Sequence, residues 1–156
     1  MHIDKGWIST AIRLASPNVD ARPDESDISL LVIHNISLPP GQFGGGHVNE
    51  LFTNQLNPNA HPYFAQIADL KVSAHVLIDR EGVVTQFVPF HHRAWHAGVS
   101  AFDGRSACND YSIGIELEGT DTAPYTNLQY ARLAQITHCL MAKYPALTAK
   151  RITGHS

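Results

Sequence analysis

A mixed α+β (α/β) fold, with a central mixed β-sheet flanked by helices, is what this sequence predicts. Three observations carry it. Leu30-Leu31-Val32-Ile33 is an unbroken apolar run of strand length. Residues 72–88 read as two strands joined by a tight turn, and residues 127–144 carry an apolar stripe at helical spacing. Strands interleaved with one long helix pack as a sheet covered by helices.

Taken in order, residues 1–29 read as mostly irregular, with turns at Ser16-Pro17-Asn18 and Arg22-Pro23-Asp24 and a short extended or helical piece around Ile8–Leu14. Leu30–His34 is the first strand. It runs into a long loop at 35–46 whose glycines suggest a phosphate cradle, but no Gly-Lys-Ser/Thr follows. A mobile lid or a cleft wall suits such a loop better. Val48–Leu56 is expected to be a short helix ended by Asn57-Pro58-Asn59, and His61-Pro62-Tyr63-Phe64 an irregular piece.

Val72–Asp79 alternates. Val72, Ala74, Val76 and Ile78 are placed on one face, and Ser73, His75 and Leu77 on the other. Asp79-Arg80-Glu81-Gly82 turns the chain, and Val83–Val88 returns as the partner strand. Ile113–Glu118 is a third strand. Ile113, Ile115 and Leu117 share one layer, and Gly114, Glu116 and Glu118 the other. The main helix spans Asn127–Tyr144. Thr126 and Gln129 form its capping box, Pro145 stops it, and Leu133, Ile136, Leu140, Met141 and Cys139 are its core face. His138 reads as a boundary residue. Arg151–His155 is a last short strand or turn.

A length of 156 residues fits one domain with a real core. Apolar content of 44% against 16% charged residues is globular, not disordered. A formal charge of −3 without a basic stripe argues against nucleic-acid binding. No apolar run is long enough to cross a membrane, and the N-terminus lacks the pattern of a secretory signal. Two distant cysteines, Cys108 and Cys139, suit free thiols in the cytoplasm. A monomer is expected. The unusual count is ten histidines.

His34 and His155 each follow a short extended piece, and a histidine held where a strand emerges is a good mount for a metal. A catalytic zinc takes three protein ligands and keeps a place open for water. Two imidazoles and a carboxylate are a common set. From the residues alone the third ligand is Glu116, His75 or His96. His75 reads equally as a satisfied polar side chain, and His96 as a group that binds a ligand edge, positions a water or donates to a backbone carbonyl. Glu116, beside a glycine and backed by an apolar layer, is the best acid/base, since partial burial raises a carboxyl pKa. Its alternative reading is an ion pair with a nearby Arg or Lys, or an acceptor of hydrogen bonds from a loop.

Several stretches then resemble a known family. They are residues 31–41 (LVIHNISLPPG), Ser73-Ala74-His75, Trp95-His96-Ala97-Gly98, Cys108-Asn109-Asp110, residues 113–119 (IGIELEG) and Thr153-Gly154-His155-Ser156. Together they resemble the zinc-dependent N-acetylmuramyl-L-alanine amidases, nearest the cytoplasmic branch that acts on anhydro-muramyl peptides in peptidoglycan recycling. The resemblance implies an amidase fold over residues 1–156, zinc held by His34 and His155, and Glu116 as the catalytic carboxylate. It also implies that Asn35, Tyr63, Trp95 and His96 line a muramyl-peptide cleft. The bond cleaved would join the lactyl group of muramic acid to L-alanine. The family pattern departs here at Ala74, Ala107 and Lys71. It also expects a third ligand, an aspartate, and a lysine on a segment after His155 that this sequence does not include. The rival expectation is a peptidoglycan-fragment binding module without catalysis.

Overall fold

The computed structural model describes residues 1–154. Its core is a six-stranded mixed sheet. In chain order the strands are β1 (Ile12–Arg13), β2 (Leu30–Ile36), β3 (Val76–Ile78), β4 (Val84–Gln86), β5 (Ser112–Glu118) and β6 (Ile152–Gly154). Across the sheet they lie in the order β6-β2-β5-β3-β4-β1. Only the β3–β4 hairpin is antiparallel; the other neighbours run parallel. The helices are α1 (His47–Phe52), α2 (Pro62–Ile67) and α3 (Asn127–Lys143). The predicted fold class holds.

The two faces of the sheet are closed by different helices. Leu31, Ile113, Ile115, Leu117, Val76 and Ile78 pack against Ile136 and Leu140 of α3. On the opposite face Leu77, Ala74 and Phe87 pack against Val48, Leu51 and Phe52 of α1 and Phe64 of α2. Burial of each such side chain contributes about 1.5–3 kcal/mol. The second face of β2 is closed instead by loop residues, with Leu30 and Val32 packed on Ala97, Cys108 and Tyr111; burial on both faces is why β2 reads as a continuous apolar run.

Several expectations need correction. Cys139 is only half-buried rather than core. Both cysteines are free thiols. The first helix ends earlier than Leu56, because Asn54 takes φ 61° and trades side-chain amide bonds with Asn18. Residues 61–64 are not irregular. His61 caps α2 by accepting from Tyr63 N, with Pro62 at the first helical position. The N-terminal 29 residues are more regular than expected, with Ile3–Asp4 paired to Trp7–Ile8 across Lys5-Gly6 and Val19–Ala21 paired to His92–Ala94.

The alternation across 72–78 also breaks. Val72 and Ala74 join the cluster of Leu77, not that of Val76 and Ile78. The reason is local. His75 Nδ1 accepts the amide of Gly114, 3.1 Å away, so a side chain takes a bond that a ladder carbonyl would take. Strand pairing starts only at Val76. The capping box of α3 is fully formed: Thr126 Oγ1 accepts from Gln129 N and Gln129 Oε1 accepts from Thr126 N. Among the described residues no helix is long and apolar enough to cross a membrane.

Candidate active site

The site grows from the pairing of β2 and β5. They run parallel in register over seven residues, and His34 stands opposite Glu116. Because side chains alternate along a strand, Ser112, Gly114, Glu116 and Glu118 point to the face that His34 shares. His34 and Glu116 are both buried, at 6% and 8% exposure, with His34 Nδ1 3.9 Å from Glu116 Oε1. Glu116 Oε2 has no hydrogen-bond partner among the described residues. Burial pushes the Glu116 carboxyl up to about 8, so near neutral pH it can both hold and release a proton. The ion-pair reading of Glu116 gives way to this one: its neighbour is an imidazole rather than an Arg or Lys.

His96 completes the cluster from a loop. Its Nδ1 lies 2.9 Å from His34 Nε2, and its Nε2 lies 3.0 Å from Ser112 Oγ. The His34 and His96 rings meet edge to face at 82°. The ring of His96 lies on Gly114, where a Cβ would come within 2.5 Å of it. Asn109 Oδ1 fixes the loop by accepting from His96 N at 3.2 Å and Ala97 N at 2.9 Å.

His75 is not part of this donor set. It is fully buried, and its nitrogens are committed to Gly114 N and to His92 O, the latter at 2.9 Å. Burial, with the Arg22 charge beside it, pushes its pKa down to about 3, so it stays neutral. Arg22 is itself buried and donates to the carbonyls of Phe90, Asn109, Asp110 and Ser112. Burial lowers its pKa to about 10, which leaves it charged at neutral pH.

Of the residues singled out in the sequence, the structure brings together His34, Glu116 and His96. Trp95 adjoins them, its backbone bonded both ways to Ser73. Tyr63 sits on α2, packed on the cluster that includes Ile36. Asn35 lies on the other face of β2, exposed, and donates to Asp121 Oδ1 at 2.7 Å. His155 lies outside the described residues, just past Gly154, which pairs with Ile33. The loop after β2 is anchored at Gly44, whose amide donates to Glu118 Oε2 at 2.8 Å. Among the described residues no group of three His, Cys, Asp or Glu side chains is placed to hold a metal ion.

Three contributors carry no role in the sequence reading. Ser112 stands one residue before the expected start of β5, and the period of two, extended by one step, places it on the Glu116 face. Asn109 falls within a family-like motif without a stated task. Arg22 reads as a turn residue beside Pro23, and no local pattern marks it as buried.

Residues 24–156 match the family model described as N-acetylmuramoyl-L-alanine amidase. The chain belongs to that family. It is therefore an amidase, and its relatives are close. It is 59% identical over 155 residues to the 1,6-anhydro-N-acetylmuramyl-L-alanine amidase AmpD of Citrobacter freundii, covering 99% of this chain and 82% of the relative. A crystal structure of a selenomethionine AmpD derivative superposes with a TM-score of 0.96 at 59% identity, covering 99% of this chain and 86% of that one. The Escherichia coli amidase AmiD, solved with anhydro-N-acetylmuramic acid-L-Ala-D-γ-Glu-L-Lys, aligns at 25% identity and a TM-score of 0.59, covering 87% of this amidase and 51% of AmiD.

Proposed function

We propose that this amidase hydrolyses the amide between the lactyl group of 1,6-anhydro-N-acetylmuramic acid and L-alanine, in peptidoglycan recycling, with zinc held by His34 and His155. The observation that carries the reading is the in-register pair of His34 and Glu116 on two buried parallel strands. Identity of 59% to an amidase named for that substrate supports it. The names of the relatives also favour catalysis over the binding-module alternative.

The donor chemistry suits zinc. An imidazole faces a carboxyl whose second oxygen is buried and unpartnered among the described residues, and such an oxygen calls for a cation or a water. Metal binding supplies Lewis-acid polarisation of the scissile carbonyl and a lowered pKa for the attacking water. The protein's own part falls to Glu116. Its carboxylate takes the proton of the attacking water and returns it, from the same carboxyl, to the departing amine of L-alanine. A carboxyl raised by burial is matched to that double duty near neutral pH. Trp95, His96, Tyr63 and Asn35 line the muramyl-peptide cleft in this reading. The free cysteines support a cytoplasmic protein, and the muramyl-peptide ligands of related amidases support a small-molecule substrate.

The test is zinc content and hydrolysis on the same purified protein. Near one zinc per chain, lost in His34→Ala, together with release of L-alanyl peptide from anhydro-muramyl tripeptide, is the expected result. Peptide binding without hydrolysis in zinc-saturated protein would instead favour the binding module.

A further inference from the structure

We propose that His96 and Ser112 form a positioning relay that holds His34 in the tautomer protonated on Nε2, so that Nδ1 presents a lone pair to the metal. The inference rests on the reading of His34 as a metal ligand. It assigns His96 a task beyond lining the cleft.

The geometry is a chain of three polar groups. Ser112 Oγ lies 3.0 Å from His96 Nε2, and His96 Nδ1 lies 2.9 Å from His34 Nε2. Neutral imidazole carries one N–H, so along these two links two proton arrangements are consistent. In one, Ser112 donates, His96 donates from Nδ1, and His34 holds its proton on Nδ1. In the other, His34 Nε2–H donates to His96 Nδ1 and His96 Nε2–H donates to Ser112 Oγ. Only the second leaves Nδ1, the nitrogen on the Glu116 side, able to ligate. A ligating histidine is commonly oriented by an acceptor on its other nitrogen. Here that acceptor is a second histidine, whose own tautomer is fixed by a serine.

The spacing argues that His96 is an orienting group, not a second ligand. Two nitrogens bound to one tetrahedral zinc at roughly 2.05 Å each are about 3.3 Å apart, whereas these face each other at hydrogen-bond distance. The surroundings are built to hold the ring. Gly114 leaves the space in which it lies, and Asn109 clamps the amides of His96 and Ala97. A residue that only brushed substrate would not need both supports.

Zinc affinity by chelator competition and histidine tautomers by long-range nitrogen NMR test the relay. His96→Ala should weaken zinc binding by roughly 10–100-fold and release His34 from the Nε2–H form. His96→Asn, whose Oδ1 falls near the place of Nδ1, should restore affinity to within a few-fold. Ser112→Ala should weaken it by less than His96→Ala, and it decides the matter together with His96→Asn should His96→Ala not fold. Wild-type affinity and tautomer in His96→Ala would overturn the relay. So would a His96→Asn protein as depleted of zinc as His34→Ala, since that outcome makes His96 a ligand. Full zinc retention in His34→Ala would be a failure of the ligand assignment itself, distinct from both.

Discussion

Gly114→Ala places one methyl group where the His96 ring now lies. The added carbon would sit 2.5 Å from His96 Cγ and 2.6 Å from Nδ1, against about 3.4 Å for an ordinary contact. The ring must then retreat by about 0.9 Å. It cannot do so freely, because Asn109 holds the backbone of His96 and Ala97. A retreat of that size along the bond direction stretches the 2.9 Å link to His34 to about 3.8 Å, which is no longer a hydrogen bond. Overpacking of this kind costs about 1–3 kcal/mol. Replacing glycine within a strand returns about 0.5–1 kcal/mol. The expected net loss is about 1–2 kcal/mol in urea unfolding, with a fall in hydrolysis larger than the residual folded fraction explains. A variant with wild-type stability, wild-type hydrolysis and unchanged His34 nitrogen shifts would refute the claim that His96 needs this space.

Three further outcomes are expected. Glu116→Gln should bind zinc and lose about 100-fold or more in kcat, since the amide cannot shuttle the proton; retention of kcat would remove Glu116 from the chemistry. His75 has a folded pKa of about 3, below its unfolded value, so the unfolded chain takes up a proton first as pH falls. Its share of stability is complete above about pH 7 and declines by about 1.4 kcal/mol per pH unit below about 6.5; in urea titrations from pH 7.5 to 4.5, His75→Asn should show that much less slope, and equal slopes would contradict the assignment. Asn109→Ala leaves the amides of His96 and Ala97 without their acceptor, at a cost of about 1–3 kcal/mol each; faster hydrogen exchange at those two amides is the direct check.

What was legible in the sequence was what repeats locally. The apolar run of β2, the capping box at Thr126 and the period of two along β5 each depend on neighbours in the chain, and each appears in the structure. The same period put Glu116 beside Gly114 with an apolar layer behind. Residues 72–75 escape the pattern because alternation alone cannot show that the His75 imidazole takes the Gly114 amide. Helix α2 does carry a local signal, a capping side chain at His61 and proline at the first helical position, but it is too short to show an apolar period. The link from His34 through His96 to Ser112 joins residues 62 and 16 apart in sequence, and no local pattern encodes it. The family-like motifs supplied His96 as a site residue without its partners.

The match to the family model begins at residue 24, two residues after Arg22. Yet Arg22 reaches the carbonyls of Asn109, Asp110 and Ser112, at the turn that clamps the His96 loop and the first residue of β5. Each of these links spans nearly ninety residues of chain. The opening segment therefore braces that turn, and β5 takes its footing from a residue that the family match leaves out. These are non-local contacts, and each requires the closure of a long loop before the turn beneath the site is held. A fragment trimmed to residues 24–156 would keep every candidate catalytic side chain and lose the cation on which the turn and strand beneath them rest.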